Sequence, residues 1–196
     1  SNSDPHKRIA MKWQSKNIYE TNYFLYDANG NKVWESKYQY WNSVSEVYSM
    51  NANVDLTKGT YYFAVEQYSG TGNYDFKLTF KSANENFTKN DNDISSANPI
   101  KIGTKYKGQL AENDSKDIYR FELAKDMRIS LDIVAYSYCT NFYVYDANGN
   151  TIWSKTYQYI DETAGKYSSS NYIDLIEGVY YFAVSEYNGT GNYNFT

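Results

Sequence analysis

The stretch that decides the fold occurs twice in the chain. Residues 21–31 read TNYFLYDANGN, and residues 140–150 read TNFYVYDANGN. The offset of 119 residues holds without a gap from residue 21 to residue 76, and 29 of these 56 positions are identical. Solenoid repeats have periods of roughly 20–50 residues, so a copy of this length is expected to fold as a domain of its own. The sequence therefore predicts the duplication of one domain.

Residues on either side of the repeated stretch alternate between apolar and polar. Ile129, Leu131 and Ile133 alternate with polar residues, and residues 74–80 and 119–123 do the same. This period of two is typical of a strand with one buried face. The DANGN sequence between two such runs supplies the residues of a hairpin turn. Short strands with regular turn signals predict an all-β chain of two tandem antiparallel β-sandwich domains, each jelly-roll-like.

The two copies begin and end at different points of the repeat. We expect the first sandwich at 1–81, a linker rich in Asn, Asp and Ser at 82–98, and the second sandwich at 99–196. The second copy begins with strands predicted at 100–110 and 117–123 that have no counterpart before Arg8, and it lacks the last strand of the first copy. We therefore expect each copy to be incomplete at one end, with exposed strand edges able to pair with other chains.

Composition and charge exclude several classes of protein. Aromatic residues make up 19% of the 196 residues, and 24 of them are tyrosines. A net charge of −4 without a basic run argues against a nucleic-acid partner. No apolar stretch approaches the roughly 20 residues of a membrane span, so we expect no membrane insertion. His6 is the one histidine, so a Ser-His-Asp triad or a histidine zinc site lacks its residues, and we predict no enzyme.

Three stretches together resemble the bacterial pre-peptidase C-terminal domain family, which includes the collagen-binding domains of clostridial collagenases. They are residues 90–100, residues 114–121, and the GTYYF and GNY sequences at 59–63 and 72–74, which return in the second copy. The resemblance covers most of both copies. It implies a compact sandwich attached to secreted hydrolases or surface proteins, one that assists export, targeting or adhesion and is not itself catalytic.

The resemblance also implies a calcium site, because some members of that family bind calcium between linker acids and an acidic loop. Carried over by position, the metal ligands fall on two linker residues and two loop residues of the second copy. They are Asn92, Asp93, Asp114 and Asp117. Two linker glutamates of the family fall on Thr88 and Asn90, and both departures remove negative charge.

The residue types support calcium independently of the resemblance. Calcium takes about 6–8 oxygen ligands, mostly carboxylates, carbonyls and waters. Residues 90–93 offer four oxygen-bearing side chains in a row, and Asn113 adds another beside the two loop aspartates. The alternative is a solvated acidic linker whose Asn and Asp residues only form turns.

Aromatic residues provide a second candidate site. The sequence Tyr-Gln-Tyr occurs at 38–40 and again at 157–159, each time after a tryptophan. Alternation predicts that the rings of one copy share a strand face, where they can stack on sugars or clamp an extended peptide. The alternative is that the rings cover the sandwich core or pair across strands. The candidate ligand-binding residues are Trp34, Tyr38, Tyr40, Trp153, Tyr157 and Tyr159.

These observations predict a non-catalytic binding or targeting module of a larger secreted or surface bacterial protein. Its partner is expected to be an extracellular polysaccharide, or a collagen-like or other protein ligand, on a polymer or host surface. Two copies in series would add avidity if both engage at once. We expect catalytic or anchoring domains elsewhere in the parent protein. The alternative is a structural stalk, spacer or export-assisting domain with no ligand of its own.

Overall fold

A computed structural model describes residues 6–37, 39–82, 85–87, 91–136, 140–158 and 165–196. The chain divides into a first unit, Ser1–Ala83, and a second unit, Asn84–Thr196. The described residues form strands joined by turns, with one short 3₁₀ helix at Ile94–Ser96. No helix among them is long and apolar enough to cross a membrane. The predicted all-β class and its antiparallel sheets are confirmed.

The first unit packs a four-stranded sheet on a three-stranded one. The sheets have the orders β4-β5-β1-β7 and β3-β2-β6, and every pairing is antiparallel. Alternate side chains of the long strands form the core between the sheets, as period-two patterning requires. The strands are β1 (His6–Ser15), β2 (Ile18–Asp27), β3 (Lys32–Ser36), β4 (Tyr40–Asn42), β5 (Val47–Thr57), β6 (Tyr61–Gly70) and β7 (Tyr74–Ser82).

The second unit packs a five-stranded sheet on a four-stranded one. Their orders are β13-β12-β15-β10-β8 and β14-β11-β16-β9, and the short pairing of β8 with β10 is parallel. The predicted alternation in β11 is confirmed, since Ile129, Leu131 and Ile133 are buried in the core. The strands are β8 (Asn98–Pro99), β9 (Tyr106–Leu110), β10 (Lys116–Leu123), β11 (Met127–Ala135), β12 (Thr140–Tyr145), β13 (Thr151–Gln158), β14 (Tyr167–Leu175), β15 (Gly178–Glu186) and β16 (Gly191–Phe195).

The repeated DANGN sequence forms the same turn in both units. Asp27 Oδ1 accepts hydrogen bonds from the backbone N–H groups of Asn29 and Asn31, each at 2.9 Å. Gly30 supplies the left-handed backbone, with φ of 81°, that side chains other than glycine rarely adopt. In the second unit Asp146 makes the equivalent bonds at 2.9 and 2.8 Å, and Gly149 has φ of 84°.

The segment predicted as a linker packs on the second unit where it is described. Phe87 packs against the core of that unit, with its ring centroid 5.8 Å from that of Tyr106. Asn86 Oδ1 accepts a hydrogen bond from the backbone N–H of Lys107 at 2.6 Å. Further along, β8 pairs with β10. Ser82 ends β7 of the first unit, and the other described parts of the segment, 85–87 and 91–98, extend the second sandwich.

Strand β7 is correctly predicted by its alternation, but the face expected to be buried is buried only in part, since Leu78 packs against the core whereas Tyr74, Phe76 and Phe80 are exposed. Phe76 is 55% exposed and Phe80 is exposed beside it, whereas Phe195, the equivalent of Phe76 in the second unit, is 3% exposed. Alternation determines which side chains share a face. Whether that face is buried depends on the strands that pack over it.

Candidate metal centre and aromatic surface

Three aspartates of the second unit converge at one end of its five-stranded sheet. Asp91, Asp114 and Asp117 each bring a carboxylate oxygen within 4.8 Å of those of the other two. Asp117 lies near the start of β10, and Asp114 lies in the tight turn before it, where it exchanges backbone hydrogen bonds of 2.8 and 3.0 Å with Ala111. The backbone N–H of Ile118 donates to the carbonyl of Asp91 at 2.9 Å and holds that residue beside β10. These three aspartates are the acidic cluster.

Two carboxylates of the acidic cluster are buried. Asp117 is 2% exposed and Asp91 is 4% exposed. Asn98 Nδ2 donates to Asp91 Oδ2 at 2.6 Å, and the Tyr193 hydroxyl donates to Asp117 Oδ2. A hydrogen bond also joins the hydroxyls of Tyr193 and Tyr119. These hydrogen-bond donors are uncharged, so they orient the carboxylates without neutralising them.

Burial and repulsion both oppose ionisation of the acidic cluster. Burial raises the pKa of Asp91 to about 6. Burial, and then the charges of Asp91 and Asp114, raise the pKa of Asp117 well above its usual range. The charge of Glu85 acts on Asp117 in the same direction. Buried ionised carboxylates that repel one another are costly unless a proton or a cation compensates them.

The donor set of the acidic cluster fits a hard divalent cation. Carboxylate oxygens are the preferred ligands of calcium, which takes about 6–8 oxygens and accepts carboxylates in mono- or bidentate form. Asp91, Asp114 and Asp117 would hold the ion, and water or backbone carbonyls would complete its shell. A bound cation would supply the positive charge that the buried carboxylates need and would join the 91–98 segment to the start of β10.

The acidic cluster contains two of the predicted metal ligands together with Asp91, which the sequence did not single out. Asp114 and Asp117 belong to the acidic cluster, whereas Asp93 is exposed at the start of the 3₁₀ helix and Asn92 is half-buried. Asp91, and not Asp93, is the linker aspartate of the cluster. Local sequence does not reveal which residue of an Asn-Asp run faces inward, because that choice follows from the hydrogen bond between the run and β10. The positions with the two departures, Thr88 and Asn90, lie outside the described residues.

Trp34 and Tyr40 of the first unit do not share one surface. Trp34 is buried in the core of the first unit, Tyr40 is exposed, and Trp153 packs half-buried against the core of the second unit. The single strand face expected for Trp34 and Tyr40 does not form, because β3 ends at Ser36 and β4 begins at Tyr40 in the other sheet. Tyr38, Tyr159 and the side chain of Tyr157 lie outside the described residues.

The first unit carries an exposed aromatic cluster that the repeat comparison missed. The ring centroid of Trp41 lies 4.7 Å from that of Tyr48, and the ring centroid of Tyr19 lies 6.2 Å from that of Tyr48. Trp41 and Tyr19 are about half exposed, and Ser69 Oγ donates to the Tyr19 hydroxyl at 2.8 Å. Trp41 has isoleucine at the equivalent position of the second copy, so a search for shared residues passes over it.

Comparison with known proteins finds no matching family model. Among solved structures, the chain is similar to the pre-peptidase C-terminal domain of a collagenase from Bacillus anthracis. The identity is 23%, the TM-score is 0.44, and the match covers 51% of this chain and 92% of that domain. It is also similar to a protein from Eubacterium rectale described as secreted, with 11% identity, a TM-score of 0.26, and coverage of 96% of this chain and 64% of that one. Neither similarity assigns a ligand or an activity to this chain.

Proposed function

We propose that the chain is a non-catalytic, extracellular binding module of a bacterial secreted or surface protein, and that calcium stabilises its second unit. The acidic cluster carries this proposal, because Asp91 and Asp117 are buried among negative charges and a cation would relieve their repulsion. Extracellular modules bind calcium with dissociation constants of about 10⁻⁴–10⁻³ M. Such a site has a use outside the cell, where calcium is abundant.

A calcium titration of the thermal unfolding of the full chain tests the proposed metal site. Calcium at about 100 times its dissociation constant is expected to stabilise the second unit by about 2.7 kcal/mol, because it binds the native state alone. Asp117→Asn is expected to remove this effect while keeping an oxygen that accepts from Tyr193. Asp93→Asn is the matched control, since it deletes an exposed carboxylate of the same segment and should leave the calcium response intact.

The calcium proposal fails if the chain melts at the same temperature with calcium and with chelator at neutral pH. It also fails if Asp93→Asn and Asp117→Asn reduce the calcium response equally. In that case the effect would come from general screening of an acidic surface.

The exposed aromatic cluster supports a ligand-binding role for the first unit. Tyr19, Trp41 and Tyr48 offer rigid rings, and Tyr40 on the same strand as Trp41 is exposed as well. Aromatic side chains give a large contact area at low entropy cost and suit the faces of sugars or an extended collagen-like peptide. Polysaccharide or a collagen-like protein is therefore the proposed class of ligand.

Binding to insoluble polysaccharides and to collagen tests this role. Trp41→Ala is expected to lower binding by at least tenfold, because it removes the central ring contact with Tyr48. Tyr172→Ala is the control, since Tyr172 is an exposed tyrosine of the second unit outside the cluster. Equal binding by both variants and the unchanged chain would contradict a role for the cluster.

A spacer without a ligand remains the second candidate, and the placement of two tryptophans favours it. Trp34 and Trp153 were predicted to contact a ligand, yet they pack in or against the two cores. On this account the aromatic residues contribute stability. Loss of stability in Trp34→Ala and Trp153→Ala, together with no binding to any polysaccharide or collagen tested, would favour the spacer.

A further inference from the structure

The first unit has an aromatic face that is open to solvent. The exposed rings of Tyr74, Phe76 and Phe80 of β7, with the partly buried Phe63 of β6 beside them, form this open face. Ring centroids are 5.9 Å apart for Phe63 and Phe76 and 6.4 Å apart for Tyr74 and Phe76. Tyr74 is 46% exposed, and Phe76 and Phe80 are more exposed still. Adjacent exposed rings of this kind mark interaction surfaces on soluble proteins.

The second unit shows what covers the equivalent face. Phe182, Tyr193 and Phe195 stand 119 residues after Phe63, Tyr74 and Phe76, and all three are buried. The covering side chain is Tyr119 of β10. Its ring lies 4.7 Å from that of Phe195 and 6.3 Å from that of Phe182. The face is therefore apolar in both units, and the difference in burial comes from β10 and from β9 of the other sheet, whose Tyr106 ring lies 5.7 Å from that of Phe195.

The same two strands complete the backbone pairing of the second unit. β10 pairs with β15 over eight residues, and β9 pairs with β16 over five. In the first unit, β6 and β7 stand at the ends of their sheet orders, and among the described residues β6 pairs only with β2 and β7 only with β1. Each therefore has an edge that can pair with a further strand.

We propose that the open face binds a two-stranded polypeptide segment with the residue pattern of 106–123. One strand of this segment adds to β6, and the other adds to β7. Its aromatic side chains cover Phe63 and Phe76 as Tyr119 covers Phe182 and Phe195. The partner is thus defined by chemistry: an extended segment that buries alternate aromatic and aliphatic residues and satisfies two strand edges at once.

The second unit also fixes the register and two further requirements of the partner. Gly108 lies opposite Tyr193, and a Cβ at position 108 would overlap the tyrosine ring. The partner strand beside β7 therefore needs glycine opposite Tyr74. Asp117 accepts from the Tyr193 hydroxyl, so the other partner strand needs an acceptor near the hydroxyl of Tyr74.

A fusion to the full chain tests this proposal. A second copy of residues 105–125 is joined through a flexible glycine-serine linker to the amino end of the chain, and amide hydrogen exchange is measured peptide by peptide. Exchange in β6 and β7 is expected to slow by at least tenfold. Exchange in β15 and β16 should not change, because their own partners remain in place. Two control fusions carry either Tyr119→Ser with Phe121→Ser, or Gly108→Val, in the added copy alone, and should leave β6 and β7 as in the unfused chain.

Two results would overturn the proposal. One is unchanged exchange in β6 and β7 with the intact fusion, or equal slowing with the control fusions. The other is a dimer of the unfused chain by sedimentation that Phe76→Ser dissociates, because a second copy would then be the partner of this face. Phe76→Ser in the intact fusion is a further check, because it changes the open face and leaves the added segment unaltered. It is expected to reduce the protection of β7 while leaving that of β15 unchanged.

Discussion

The turns at residues 27–31 and 146–150 have the same hydrogen bonds in the two units, whereas Phe76 and Phe195, on equivalent strands, differ from 55% to 3% exposed. The turn depends on side chains within five consecutive residues, so an identical sequence gives an identical structure. The burial of a strand face depends on strands that are remote in sequence. Duplicated sequence therefore preserves local geometry and leaves tertiary burial free to differ.

An ion pair that is present in both units also differs in burial. Arg8 and Asp55 pair at 2.9 Å in the first unit, and Arg128 and Asp174 pair at 2.6 Å at the equivalent positions of the second. The first pair is almost fully buried, and the second is largely exposed. The two ion pairs are therefore expected to contribute differently to the stability of their units.

The largest expected effect distinguishes the covered face of the second unit from the open face of the first unit. Phe195→Ala should destabilise the second unit by about 3–5 kcal/mol, because it leaves a cavity in a packed core. Phe76→Ala should cost the first unit about 1 kcal/mol or less, since much of its ring already contacts water. Urea unfolding followed by amide exchange in each unit measures both. Equal losses would mean that Phe76 is buried in solution.

The ion pairs provide the next contrast. Asp55→Ala should cost about 3 kcal/mol, because it leaves the buried Arg8 guanidinium without its carboxylate. Asp174→Ala should have no measurable effect on stability, since exposed pairs contribute little and are screened by salt. The same unfolding experiment at low and high salt measures both variants. A larger loss for Asp174→Ala would contradict the difference in burial.

The pH dependence of stability should differ between the units. Burial raises the pKa of Asp91 to about 6 and that of Glu186 to about 7, and it raises the pKa of Asp117 strongly. Carboxyls with raised pKa values bind more protons in the folded state than in the unfolded chain, where Asp titrates near 3.9 and Glu near 4.3. In chelator, stability of the second unit should therefore fall as the pH rises from about 4 to about 7.

Two controls sharpen this pH experiment. Saturating calcium should flatten the decline by compensating the ionised acidic cluster, and Asp117→Asn should reduce it in chelator. The first unit serves as the internal reference over the same pH range. A second unit whose stability rises with pH in chelator would mean that the cluster is compensated by another positive group.

The smallest difference between the two units is expected at their turns. Gly30→Ala should cost about 1–2 kcal/mol, because an L-residue is strained at a positive φ. Gly149→Ala should cost at least as much, since its Cβ would also lie 3.1 Å from Ile94 Cδ1, whereas a Cβ at Gly30 meets nothing within 4 Å. Thermal unfolding of the two variants measures the difference. A markedly smaller loss at Gly149 would contradict the contact.

Sequence reasoning succeeded where neighbouring residues determine the structure. Period-two alternation predicts β11 and β7 as strands, and DANGN predicts the turn. It failed where a segment remote in sequence determines whether a side chain is buried. Examples are the exposure of Phe76, the burial of Trp34, and the inward placement of Asp91 instead of Asp93. The change of sheet between Ser36 and Tyr40 likewise has no signature in the alternation, because both strands carry aromatic residues.

Amide hydrogen exchange of the unmodified chain tests the central claim most directly, namely that one scaffold is closed in the second unit and open in the first. We predict slow exchange on both edges of β15 and along β16. In β6 the amides that point away from β2 should exchange fast, as should those of β7 that point away from β1. Equal protection of equivalent amides in β6 and β15, in a chain that sediments as a monomer, would contradict the account.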